Sequence, residues 1–341
     1  MAMPILFARL PFLLFLAAFS LFSQSRTIRV FTQHDFDPDE MKVLTAAAPG
    51  VRVEFVTEAQ RREADVLYGE PNGALLDAMP KLKWIQTGAA GMEWMDDALR
   101  KSPVVTTNMQ RIFAPGISET AMGLLLCLTR GISINYMPQF YKHQWKPVGT
   151  PKSDDQIELV GKTMGIVGMG GIGTAIARRA HNGFDMHVIA TDAKPIPKPD
   201  FVDELHDPTY FPEMAKRVDV LVLAAPLVKE TRGMMNEAIF RSMKKHSYFL
   251  AMSRGPLYDD MALVKALKEG WIAGAGLDVF PVEPVPANHP IFDLPNVVMT
   301  PHTSGWSPDR QKRLIAHFAE NIRRYSMGQP LVGVVDKAAG Y

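Results

Sequence analysis

Residues 161–180, GKTMGIVGMGGIGTAIARRA, limit the fold of this chain more than any other stretch. They read as a short apolar strand over 163–167, a glycine turn, and a helix with small residues along one side. The glycines fall as G-x-G-x-x-G at Gly168, Gly170 and Gly173. Gly168 permits the tight turn out of the strand. Gly170 has no side chain, so a pyrophosphate can approach the backbone. Gly173 lets the helix pack closely on the strand. The unpaired N–H groups and the positive dipole end of the helix then face the phosphates. A second strand, 187–191, ends at Asp192, 19 positions past Gly173. A carboxylate there can accept hydrogen bonds from the adenosine ribose hydroxyls. Glycine turns are common, and a structural βαβ turn with a surface Asp is the plain alternative. The order strand, turn, helix, strand, Asp favours a dinucleotide site.

The rest of the chain reads as strands alternating with helices. At 341 residues it is long enough for about two domains. Strands are expected at 27–32, 51–56, 64–69, 83–87 and 104–107, with a helix over 41–48 closed by Pro49 and Gly50. This forms a small α/β unit. A strongly apolar helix over 117–130 links it to the nucleotide unit, where further strands are expected at 218–224, 247–253, 272–278 and 297–300. Intervening helices at 236–243 and 260–269 make that sheet parallel and doubly wound. A long amphipathic helix, 307–325, returns to the first unit. The expected architecture is α/β: two Rossmann-like domains with doubly wound parallel sheets and a cleft between them. Residues 26–108 and 301–341 form one domain and 109–300 the other.

Bulk properties exclude several classes. Net charge is +1, so no global field favours nucleic acid or a membrane surface. The single cysteine, Cys127, rules out an intramolecular disulfide and a cysteine cluster for zinc, and no metal is expected. It lies in the apolar run 123–128 and reads as a buried, inert thiol.

In a doubly wound sheet, ligands collect beyond the carboxyl ends of the strands. Four polar residues stand there: Arg254, Asp278, Glu283 and His302. The guanidinium fork of Arg254 suits a two-point grip on a carboxylate. His302 can give or take a proton near neutrality, and Glu283 is a partner that would keep its imidazolium charged. Asp278 either orients a nicotinamide carboxamide or caps a turn. The remaining histidines, such as His143, His181, His206 and His246, have no comparable setting.

With these residues in view, the chain resembles the D-isomer-specific 2-hydroxyacid dehydrogenase family over nearly all of 27–341. The matching segments are 158–173, Ala225-Pro226-Leu227 with Glu230-Thr231, 253–259, 276–280 with Glu283-Pro284, and Thr300-Pro301-His302. The resemblance implies hydride transfer between NAD(H) and a small 2-oxo acid, with Arg254, Glu283 and His302 as the catalytic set. Arg254 would grip the substrate carboxylate and polarise the carbonyl. Backbone amides of Ala89, Ala90 and Gly91 would hold the carboxylate's other end. Cofactor contacts would come from Gly168, Gly170, Gly171, Ile172 and Gly173 at the turn, Asp192 at the ribose, Ala225, Pro226 and Thr231 in the adenine-side loop, and Asp278 near the nicotinamide. Asp192 favours NAD, because a 2′-phosphate beside it meets like charge; Lys194 close by leaves room for NADP. A homodimer built through the nucleotide domains is also implied. Two positions depart from the family pattern, Val228 for a usual Thr and Tyr258 for a usual Val. Glu283 argues against formate dehydrogenase, a similar family with Gln there.

Two rivals remain open on sequence. Corepressor-like proteins resemble this family, keep similar site residues and bind a dinucleotide without turnover. Oxidation of another small oxyanion, such as phosphite, would suit the same scaffold. Residues 1–25 add a conflict: Arg9 precedes an apolar core over 10–22, followed by Ser23 and Ser25, in the shape of a secretory signal. An organelle presequence and a start wrongly placed upstream of Thr27 are further readings. Because NAD(H) is an intracellular cofactor, the expectation is a cytoplasmic catalytic domain, with 1–25 an anchor or a mis-called start. Membrane contact would be through 1–25 only; the alternative is anchoring or export.

Overall fold

The computed structural model describes residues 26–149 and 156–341; the expectation for 1–25 lies outside the described residues. Two wholly parallel sheets organise the rest. The first contains β1 (Thr27–Thr32), β2 (Arg52–Phe55), β3 (Val66–Tyr68), β4 (Trp84–Gln86) and β5 (Val105–Thr107), in the order β2-β1-β3-β4-β5. Helices α1 (Pro38–Thr45), α2 (Gly73–Asp77) and α3 (Asp97–Lys101) connect its strands. Helix α1 begins three residues before the expected start. The Asp37 carboxylate accepts from the Glu40 N–H, Glu40 accepts in return from the Asp37 N–H, and Pro38 fits the first turn.

Helix α4 (Ala114–Thr129), a π-helical turn (Ile132–Tyr136) and the short α5 (Met137–Phe140) follow. The second sheet then runs through β6 (Thr163–Val167), α6 (Gly171–Phe184), β7 (His187–Thr191), β8 (Glu204–His206), α7 (Phe211–Arg217), β9 (Val220–Leu223), α8 (Glu237–Ser242), β10 (Tyr248–Ala251), α9 (Asp260–Lys268), β11 (Gly274–Leu277) and β12 (Val297–Met299). Its order is β12-β11-β10-β9-β6-β7-β8. The chain leaves β6 toward β7 on one side and later returns to β9 on the other. The switch point of the sheet therefore lies between β6 and β9, where a doubly wound fold opens its ligand crevice.

Strand alternation puts a core on each face. Met164, Ile166, Val220, Val222 and Leu250 pack with α4 and α6, whereas Val167, Leu221, Leu223, Phe249 and Ala251 pack with α7, α8 and α9. Cys127 is half-buried rather than buried. The final helix, α10 (Pro308–Ser326), turns Leu314, Ile315, Phe318 and Ile322 onto β1, β3 and β4. The Phe318 ring lies 4.8 Å from Tyr68 and 5.7 Å from Trp84. Among the described residues no single helix is long and apolar enough to cross a membrane.

Candidate active site

Strands β10, β11 and β12 are neighbours, spaced about 5 Å apart. Each delivers one polar residue at its carboxyl end: Arg254 three residues after β10, Asp278 directly after β11, and His302 three residues after β12. Parallel pairing makes all three emerge on the same edge. Glu283 reaches them from the loop after β11. Its carboxylate lies 2.7 Å from His302 Nδ1, and its other oxygen accepts from the Phe280 N–H at 2.7 Å. A carboxylate only accepts, so Nδ1 carries the proton of that bond and Nε2 remains for chemistry.

His302 has φ +55°, a left-handed conformation that side chains seldom adopt. Asp278 holds it there. The His302 N–H donates to the Asp278 carbonyl at 2.8 Å. The buried Asp278 carboxylate accepts from Thr300 Oγ1 at 2.7 Å, from the Thr303 and Ser304 N–H groups at 3.0 Å, and from Ser304 Oγ. Of the two roles open to Asp278, these contacts carry the capping one; they shape the loop that presents His302. Tyr258 braces the neighbouring loop. Burial, with Asp260 and Glu283 adding to it, pushes its phenol well above its ordinary value, and it donates to the Val279 carbonyl at 3.0 Å.

Arg254 is fixed from two sides. Nη1 donates to the Ser253 carbonyl at 2.7 Å, and Nε donates to Glu93 at 2.9 Å. Glu93 belongs to the loop after β4, so this ion pair joins the two sheets' loops. Gly91 of the same loop lies against the guanidinium: a Cβ there would fall 1.9 Å from Arg254 Nη2. On the other side, a Cβ on Gly255 would fall 1.9 Å from the Phe280 carbonyl carbon. Arg254 thus sits between the 88–93 loop and the 280–283 loop that carries Glu283. Residues from four separate segments are brought together.

The expected carboxylate grip is narrower than the sequence implied. The Ala89 N–H donates to Thr87 Oγ1 at 3.0 Å and is spent inside its own loop. The carbonyls of Ala89 and Ala90 are taken by the Met109 N–H and Asn108 Nδ2. Among the described residues the Ala90 and Gly91 N–H groups have no acceptor, and Gly91 lies against Arg254. Thr87 in turn bonds Glu70, and burial, then Glu70 and Glu40, push the Tyr68 phenol behind this loop up to about 12.

The glycine turn fits a dinucleotide. Gly168 has φ +92°, and a Cβ on Gly173 would meet the Gly168 carbonyl oxygen at 1.9 Å. A Cβ on Gly170 would meet nothing within 4 Å, which leaves open space in front of the turn. Helix α6 starts there without a side-chain cap, so its first N–H groups, at Gly171, Ile172 and Gly173, have no intrahelical acceptor. Asp192 follows β7 and accepts from the Met169 and Lys194 N–H groups at 2.7 and 2.8 Å. Ala225 and Pro226 follow β9 across the switch point. Thr231 does not present its hydroxyl: it donates to the Pro226 carbonyl at 2.8 Å and accepts from the Val228 N–H, fastening the loop after β9.

Sequence reasoning did not single out Glu93, Thr87 or Ser304, and it named Thr300 only as part of the segment Thr300-Pro301-His302, without a role. Glu93 lies two residues past Gly91, but its partner is 161 positions away. The Thr300 and Ser304 contacts follow only from the register of β11 against β12.

A two-sheet α/β chain with a dinucleotide turn, and with a histidine–glutamate pair and an arginine at neighbouring strand ends, belongs to the class of nicotinamide-dependent oxidoreductases. Comparison with known proteins makes the class specific. Residues 122–304 match the family model of the D-isomer specific 2-hydroxyacid dehydrogenase NAD binding domain. The glyoxylate reductase of Thermofilum pendens is 33% identical over 299 residues, covering 85% of this chain and 86% of that protein. The glyoxylate/hydroxypyruvate reductase B of Citrobacter koseri is 32% identical over 283 residues, covering 80% and 86%. Among solved structures, a D-isomer specific 2-hydroxyacid dehydrogenase from Xanthobacter autotrophicus in complex with NADPH and MES superposes with a TM-score of 0.78 at 26% identity, covering 92% of this chain and 99% of that one. An NADPH-dependent glyoxylate/hydroxypyruvate reductase from Sinorhizobium meliloti, in complex with NADP and sulfate, gives 0.73 at 28%, covering 93% and 100%. The chain belongs to the D-isomer-specific 2-hydroxyacid dehydrogenase family and is an NAD(P)-dependent enzyme of it.

Proposed function

We propose that this enzyme reversibly reduces a small 2-oxo acid, of the size of glyoxylate, hydroxypyruvate or pyruvate, to the D-2-hydroxy acid. The carrying observation is the His302–Glu283 pair at 2.7 Å, on the strand edge that also delivers Arg254. Bound NAD(P)H would supply the hydride to the carbonyl carbon. Everything else falls to the chain. Arg254 and the open amides of Ala90 and Gly91 grip the carboxylate and align the carbonyl. Arg254 also stabilises charge building on the carbonyl oxygen. His302 gives that oxygen a proton from Nε2, and Glu283 on Nδ1 supports the charged ring. Asp278 acts chiefly by holding the His302 loop. Glu93, which accepts from Nε and Nη2, fixes the orientation of the guanidinium fork, and one N–H on each of Nη1 and Nη2 is left for substrate. In this reading 26–108 with 301–341 hold the substrate and 109–300 hold the cofactor.

The same reading includes a homodimer built through the nucleotide units. Tyr141 and Trp145, 76% and 89% exposed, give that unit apolar surface to bury, as does a groove of about 570 Å³ lined by Met122, Leu126, Arg178, Asn182 and Phe184. Light scattering on the purified chain tests it. Catalysis is placed on the cytoplasmic side, where NAD(P)H is held; cell fractionation with sequencing of the mature N-terminus is the check. Activity is tested by following oxidation of NADH and NADPH with glyoxylate, hydroxypyruvate and pyruvate. Turnover of at least one is expected. Dinucleotide binding with no turnover of any 2-oxo acid would favour a binding role instead.

A further inference from the structure

Segment 333–341 runs from the first sheet to the nucleotide unit. It begins beside β5, where the Asn108 N–H donates to the Gly333 carbonyl at 2.9 Å, the Val335 N–H donates to Thr106, and Val334 bridges antiparallel to Thr107. Lys337 Nζ donates to the carbonyls of Ser102 and Val104, and Arg100 donates to the Lys337 carbonyl. Residues 336–341 then close into a turn. Asp336 accepts from the Ala338 and Ala339 N–H groups through its carboxylate and from the Gly340 N–H through its carbonyl, and its own N–H donates to the Tyr341 carbonyl. Such a turn holds Tyr341 in place.

What it faces is the adenosine end of the site. Lys194 Nζ sits over the Tyr341 ring, 4.3 Å from its centre. Lys194 follows the ribose carboxylate Asp192 and shares its turn through the bond from its N–H. A Cβ on Gly340 would lie 3.8 Å from Val228, in the adenine-side loop pinned by Thr231. The 340–341 end of the segment therefore lies between the loop after β7, which the Tyr341 ring meets, and the loop after β9, which Gly340 meets, on either side of the glycine turn after β6. Burial, then Asp192, Asp336 and Glu230, raise its phenol, in keeping with a ring set among those carboxylates.

We propose that Tyr341 caps the adenosine half of the dinucleotide, offering its ring as a stacking face for adenine while Lys194 supports it from the other side. The inference deepens the proposed function and rests on dinucleotide binding at this turn. A base stacked on an aromatic ring loses about tenfold or more in affinity when the ring is removed.

Fluorescence titration of the full chain with NADH, ADP-ribose and reduced nicotinamide mononucleotide tests the idea without using turnover. Tyr341→Ala should weaken NADH and ADP-ribose about tenfold and leave the mononucleotide, which lacks adenosine, unchanged. Tyr341→Phe should bind all three like the parent. Tyr341→Leu keeps apolar bulk but no π face; it should behave like Tyr341→Ala, and it serves if the alanine variant melts early. Equal or tighter NADH binding by both Tyr341→Ala and Tyr341→Leu would overturn the proposal. So would equal weakening of the mononucleotide, which would mark a general loss of structure. A parent chain that binds no dinucleotide would defeat the proposed function as well, and that result is distinct from the others.

Discussion

With Nδ1 committed to Glu283 at 2.7 Å, the His302 ring has one nitrogen left, Nε2, and one place to send its proton. Proton transfer by a placed side chain contributes typically about 10²- to 10⁴-fold. His302→Ala should therefore lower kcat at least about 100-fold and leave NADH affinity unchanged, since the ring is remote from the glycine turn; near-parental turnover would remove His302 from its role. Arg254 has a different signature. Its fork serves Ser253 and Glu93 at once while lying against Gly91, which an ammonium on a flexible stem cannot do. Arg254→Lys should raise KM for the 2-oxo acid about tenfold or more, and an unchanged KM would count against the carboxylate grip. At this scale the sequence reveals Arg254, Glu283 and His302 because each stands at or just past an apolar strand. It hides Glu93 and the work of Asp278, whose partners lie up to 161 and 26 positions away and meet only once both sheets have formed.

Among elements, legibility followed burial. Strands β6 and β7 occupy the residues their apolar runs mark out, because both faces of each are covered. Strand β8 was not anticipated: Glu204–His206 is a short edge strand, only half-buried, with two charged or titratable residues in three. The π-helical turn Ile132–Tyr136 carries no periodicity to read. Helix α10 was plain from its apolar stripe, but its pH response was not. His317 is half-buried there, and burial holds its imidazole below the ordinary 6.5, against the Asn108 backbone and Glu320. The unfolded chain thus binds a proton more readily than the folded one, so stability is lost as pH falls from about 6.5 toward the lower folded value. Replacing the ring with an amide in His317→Gln should flatten that part of the curve of denaturant midpoint against pH. A variant that follows the parent between pH 7 and 5 would show that His317 does not contribute the slope.

At the level of the whole molecule, the substrate is proposed to be a link between the two units. The guanidinium comes from the seven-stranded sheet and the open amides of Ala90 and Gly91 from the five-stranded one, and in the free chain they already meet through Glu93. A carboxylate held by both should stabilise the folded chain beyond what the dinucleotide does alone. Oxamate, an unreactive 2-oxo acid mimic, isolates this term when NADH is saturating. At a concentration 100-fold above its dissociation constant it should add about 2.7 kcal/mol, seen as a higher Tm. Arg254→Ala should abolish the increment due to oxamate and preserve the one due to NADH, because the dinucleotide turn lies two strands away across β9. If the variant kept the oxamate increment, the acid would be held elsewhere; if it lost both, Arg254 would be holding the fold rather than the substrate.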